Sequence, residues 1–187
     1  MKIFKLSFVL MLIAFVSCSK DDDGGINIDP NVSLAGPWEF VDLNTNKGKM
    51  KITSEGTSIE ASFKITGKDY DYQSVFTEEP NYVTSAGSFI MVITTTILNK
   101  TDIEEQLIED YGDNGLNGAW NIEGNKLVIT NDDEQSTYTI TELTENRLKF
   151  QMDLSQSEFF PGMEDLEGDE EVGVEVSGHL IYTFTRN

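Results

Sequence analysis

From residue 34 onward, apolar and polar side chains alternate with a period of two, the mark of strands with one face buried. Ile59, Ala61, Phe63 and Ile65 alternate with Glu60, Ser62 and Lys64. Leu148, Phe150 and Met152 alternate with Arg147, Lys149 and Gln151. The same rhythm predicts strands near residues 34–41, 49–52, 70–76, 118–122, 127–130 and 137–141, and a last one from about Val172 to Arg186. Turn residues punctuate them: Asn44-Thr45-Asn46, Gly56, Gly67, Glu123-Gly124-Asn125 and Glu145-Asn146. Tight turns between short strands predict an antiparallel meander, and closing such a sheet on itself removes its edges. The expected architecture is all-β, an up-and-down β-barrel of eight to ten strands.

Two stretches depart from this rhythm. Residues 88–97 are apolar or β-branched on both parities, which predicts a strand covered on both sides or covered outside by the element that follows. That element reads as one inserted α-helix, about residues 101–111. Thr101 and Glu104 form a capping box, Ile103, Leu107 and Tyr111 an apolar stripe, and Gly112 a stop. Residues 153–171 form a long acidic loop that carries Phe159-Phe160-Pro161-Gly162-Met163.

The N-terminus is organised differently. Lys2 and Lys5 precede an apolar run from Leu6 to Val16, too short to span a bilayer comfortably and laid out as an export signal. Cys18, the only cysteine, follows small Ser17. This site resembles the lipobox of bacterial lipoproteins. The resemblance implies removal of residues 1–17, lipid on Cys18, and membrane attachment through that lipid. Residues 18–33, rich in Asp, Gly, Asn and Pro, read as a lipidated flexible tether. Residues 34–187 read as the folded domain. The Ser19-Lys20-Asp21-Asp22-Asp23 run resembles the surface-export signal of Bacteroidetes-type lipoproteins, which implies an outer-membrane protein exposed at the cell surface.

Charge narrows the partners. The chain carries 13 basic and 33 acidic residues, a net of −20. Without Lys2 and Lys5 the balance is 11 against 33, a net of −22. So acidic a surface argues against nucleic acid, which needs a basic footprint, and against docking on anionic headgroups. One cysteine supplies neither a disulfide framework nor a cysteine metal site.

The candidate chemistry is sparse. His179, the only histidine, falls on the polar face of the last strand beside Glu175 and Ser177, with no second His or Cys to build a zinc site or a triad. Glu164, Asp165, Glu167, Asp169, Glu170 and Glu171 are dense oxygen donors, yet they lack the ligand spacing of a calcium loop and read as a solvated run. No catalytic residue, metal or cofactor is expected. The inward face is aromatic. Trp38, Phe40, Phe63, Tyr72, Phe76, Tyr138, Phe150 and Tyr182 either pack solid or line a ligand cavity. Phe159 and Phe160 are candidate lid residues.

Gly36-Pro37-Trp38 on the first strand is similar to the Gly-x-Trp that opens lipocalin barrels. Arg186 matches the basic residue that lies across that tryptophan in the family, and it shares the apolar face of Phe184 and Tyr182. The stretch Gly118-Ala119-Trp120-Asn121-Ile122-Glu123-Gly124-Asn125-Lys126-Leu127, with Tyr138 to Thr144, resembles the lipocalin-like lipoproteins of the Bacteroidetes type. The likeness covers roughly residues 34–187. It implies a lipocalin-like barrel closed by the Trp38–Arg186 pair. The expected function is a surface-anchored lipoprotein that binds a small apolar or amphipathic ligand. The alternative is a non-catalytic accessory subunit of an outer-membrane protein assembly, with a filled barrel.

Overall fold

The computed structural model describes residues 26–109, 116–132, 134–156 and 172–187. Ten strands follow in order: β1 (Asn27–Ile28), β2 (Gly36–Ser54), β3 (Thr57–Thr77), β4 (Tyr82–Ile97), β5 (Lys100–Glu109), β6 (Gly118–Glu123), β7 (Lys126–Asn131), β8 (Glu134–Leu143), β9 (Arg147–Asp153) and β10 (Val172–Thr185). A 3-10 turn, Leu154–Gln156, follows β9. The fold is all-β.

Eight of these strands form a closed ring in the order β2-β3-β4-β6-β7-β8-β9-β10, with β10 returning to β2. Every pairing in the ring is antiparallel. The period-two pattern explains it: side chains of one parity enter the ring and those of the other face outward. Trp38, Phe76, Leu127, Leu148, Phe150, Leu180 and Phe184 are almost completely buried.

The helix expected over residues 101–111 is not formed. Lys100–Glu109 is strand β5, paired with β4 in an unbroken register from Ile97↔Lys100 to Ser88↔Glu109. Leu98 and Asn99 have φ of 47° and 66°, the left-handed pair that a two-residue hairpin demands. Once that turn forms, the following residues lie along β4. Ile103 and Leu107, four apart, then share one face of a strand as they would share one face of a helix. The outer face of β4 is therefore not covered by a helix. Tyr111, the last residue of the expected stripe, lies outside the described residues.

One wall of the ring is taller than the rest. β5 and β6 lie end to end along β4: β5 pairs residues 88–97, and β6 pairs only Tyr82 and Val83. Between those stretches Ser85 fills the seam, its amide donating to Asn117 Oδ1 at 2.6 Å and its hydroxyl to the Leu116 carbonyl at 2.9 Å. Beyond the short strands β6–β9, the far halves of β2, β3 and β4 continue with β5 and the start of β10 as an open five-stranded sheet, ordered β5-β4-β3-β2-β10.

Part of the stretch read as tether is bound to the ring. β1 pairs parallel with β8, Asn27 to Glu142 and Ile28 to Leu143, and the Asp29 amide donates to the Leu143 carbonyl at 2.9 Å. Ile28 and Val32 pack against the core. Cys18, Phe159, Phe160 and the acidic carboxylates of residues 164–171 lie outside the described residues.

Candidate functional site

The seven aromatics read as ligand-lining, Phe40, Phe63, Tyr72, Phe76, Tyr138, Phe150 and Tyr182, are all buried in one core. Five of them, Phe40, Tyr72, Tyr138, Phe150 and Tyr182, spend their faces on one another. Phe40 meets Tyr72 at 5.7 Å, Phe89 at 5.1 Å, Tyr182 at 6.1 Å and Phe184 at 4.8 Å between ring centroids. Phe150 meets Tyr138 at 5.1 Å, Tyr182 at 5.3 Å and Phe184 at 5.5 Å. Contacts at 4.5–7 Å are those of rings in mutual contact. The network joins β8, β9, β10, β2, β3 and β4, six consecutive strands, so it lines most of the inside of the ring. Removing a ring such as Phe150 from a core like this costs ~3–5 kcal/mol. Phe76 stands apart, edge-on to Trp120 at 6.1 Å.

Polar groups are placed within this aromatic interior. Ser74 is fully buried, and its hydroxyl lies 2.7 Å from that of Ser85. Burial pushes the Tyr72 phenol up to about 12, against a smaller opposite pull from the Ser85 and Ser74 hydroxyls. Burial likewise pushes Tyr138 up to about 12, against the Ser136 hydroxyl. Both phenols are therefore neutral over the whole physiological range.

The wall itself is interrupted between β2 and β3. Their pairing slips between Glu39↔Gln73 and Asn44↔Thr66, and that of β3 with β4 slips between Lys68 and Asp71. Tyr70 fills the gap. Its hydroxyl accepts a hydrogen bond from the Leu43 amide at 2.8 Å, so a side-chain oxygen replaces the missing ladder carbonyl. Its ring meets Phe40 edge-on at 5.1 Å. Gly67 makes this possible, since a Cβ there would overlap the Tyr70 ring. Burial raises the Tyr70 phenol, the Leu43 hydrogen bond lowers it, and the charge of Asp42 raises it again. Outside this interruption lies a cleft of about 700 Å³, with Phe40, Tyr70 and Tyr72 on its inner side and Glu39, Asp71 and Gln73 at its edge. Tyr70 and the slipped register were not foreseen from sequence. Their one trace is the break in alternation at Lys68-Asp69, where Asp69 takes φ of 54°.

Trp38 and Arg186 are brought together. The Arg186 guanidinium carbon lies 4.1 Å from the centroid of the Trp38 ring. Trp38 is fully buried and donates from Nε1 to the Leu34 carbonyl at 2.8 Å.

His179 pairs across the sheet with Asp153 of β9 and Asn46 of β2. Two hydrogen bonds from Ser155, amide and hydroxyl, lower the Asp153 carboxyl. His179 contributes a minor part of that shift. Among the described residues no three His, Cys, Asp or Glu side chains stand close enough to hold a metal ion. Compared with protein-family models, with curated proteins and with solved structures, the chain matches none.

Proposed function

We propose that this chain is a lipid-anchored protein of the outer surface, held by Cys18, whose lipocalin-like barrel is filled and serves as a non-catalytic interaction or accessory subunit. The observation that carries this reading is the buried aromatic network that lines the ring. Phe40, Tyr72, Tyr138, Phe150 and Tyr182 are all buried, with ring partners on neighbouring strands at contact distance, where a ligand-carrying barrel would leave their inner faces open. Eight antiparallel strands in a closed ring, with Arg186 over Trp38, support the lipocalin-like part. The export signal and the Cys18 site support the anchor.

Native mass spectrometry of the full chain purified in mild detergent tests the filled interior. The expected species is the lipidated protein alone. A lipid or sugar retained at one per chain overturns the reading. Cys18→Ser should shift the protein from the membrane to the soluble fraction, and a variant still sedimenting with membranes overturns the anchor.

A second reading has its own observation. The cleft beside Tyr70, at about 700 Å³, has the size of a small-molecule site and sets aromatic side chains beside polar ones. It would take a small amphipathic ligand at the wall, outside the ring. Tyr70→Ala should change such binding while leaving the Phe150 side of the core intact.

A further inference from the structure

We infer that the free edge of β5 is a docking edge for an extended segment of another protein, one that alternates basic and apolar residues and adds to the sheet as its next strand. This rests on the interaction reading above and names the kind of partner. β5 pairs with β4 alone, and among the described residues nothing pairs with its other side. A strand paired on one side leaves about half of its amides and carbonyls pointing away, a template for a further strand. Sheet edges are ordinarily blunted by proline, a bulge, shortness or charge. β5 runs for 10 residues without Pro or Gly, and its register with β4 has no slip. Charge is the one device it has.

That charge is arranged in a way that selects. Opposite Thr95, Ile93 and Met91, the β5 residues Asp102, Glu104 and Gln106 share the face that continues the ring interior. Ile103 and Leu107 share the other face, 63% and 57% exposed, beside Ile90 and Thr94 of β4. Glu105, on that second face, is already held by Lys68, with both carboxylate oxygens 2.8 Å from Nζ. Asp102 and Glu104 have no basic partner among the described residues. Two copies of β5 laid edge to edge would set four acids against four, with one lysine on each strand, and like charges opposite one another oppose pairing. A second copy is therefore disfavoured. A strand with Lys or Arg on one face and branched apolar side chains on the other meets Asp102 and Glu104 with opposite charge and extends the Ile103–Leu107 surface. Its backbone completes the ladder.

The test uses the full chain in mild detergent and a labelled peptide of alternating lysine and valine, as long as β5. Binding is expected, with slowed hydrogen exchange at the β5 amides. The same residues arranged as a lysine block and a valine block should bind about tenfold more weakly, because charge alone does not place alternate side chains. Asp102→Lys with Glu104→Lys should weaken the alternating peptide by about tenfold as well. Equal binding of the two peptides, or β5 amides that exchange as before, overturns the inference, and this comparison needs only the unsubstituted protein. A dimer in sedimentation that Ile103→Glu abolishes overturns the choice of occupant. A cellular partner that cross-links equally to the unsubstituted chain and to the double lysine variant removes the edge but leaves the interaction reading standing. A ligand retained inside the ring removes that reading itself.

Discussion

Arg186 lies over the Trp38 ring, and the same guanidinium ties two segments of chain through three carbonyls: it donates to those of Glu145 at 2.6 Å, Ala35 at 2.8 Å and Ser33 at 3.1 Å. The residue before the last thus holds the start of β2 and the β8–β9 turn. Part of its value is the cation over the ring, and part is three carbonyls that would otherwise face the rim unpaired. Arg186→Ala should lower stability by about 2–3 kcal/mol, read from urea unfolding. Arg186→Lys should recover less than half of it, since an ammonium cannot present the guanidinium's planar fork. Full recovery of stability by Arg186→Lys would mean that the hydrogen-bond fork contributes nothing.

Gly67 and Tyr70 should behave as one unit. Gly67→Ala puts a methyl group where the Tyr70 ring lies, so the ring must leave the interruption between β2 and β3. The expected loss is about 1–3 kcal/mol. In a Tyr70→Ala background the same change should cost far less, a coupling of ~1 kcal/mol or more in a double-mutant cycle. Simple additivity would show that Tyr70 does not occupy the gap in solution.

Alkali should unfold the protein through two phenols. Tyr72 and Tyr138 titrate near 12 in the fold against 10.0 for the free side chain. The folded state therefore keeps these protons where the unfolded chain releases them. Their contribution is fully present below pH 10 and is lost as pH rises from 10 to 12, up to roughly 3 kcal/mol for each. Stability measured across that window should fall steeply, and Tyr72→Phe should flatten the fall. Ionisation of both phenols near pH 10 without unfolding would contradict the burial.

Leu98 is a poor residue for its turn. It is 81% exposed with φ of 47°, so it packs little and carries left-handed strain. Leu98→Asn should raise stability by about 1 kcal/mol, visible as a higher melting temperature. No gain would argue against the left-handed hairpin joining β4 and β5.

That same residue explains the helix misread from sequence; the turns expected at Asn44-Thr45-Asn46 and Gly67 were misread too, since β2 and β3 run on through them with a slipped register. A hairpin marked by Asn-Gly announces itself; Leu98-Asn99 does not, and Thr101 with Glu104 imitates a helix start. Ile103 and Leu107 fit either period. Elsewhere alternation was sufficient: Phe63 and Ile65, Tyr138 and Ile140, Leu148 and Phe150 face inward as their parity requires. Arg186 and Ala35 meet across 151 residues, and parity had already put Arg186 on the face of Phe184 and Tyr182. The interruption filled by Tyr70 was not legible. A register slip depends on how two strands align with each other, and no single strand's pattern records it.

The tall wall has a mechanical corollary. The chain enters the ring at the Trp38 end, where Ser33 and Ala35 are gripped, while β2 runs 19 residues from there to its far tip. Its length is on the order of 60 Å. A protein moored by its amino end would carry β5 like the head of a mast, lifted clear of the bilayer and offered to whatever passes above.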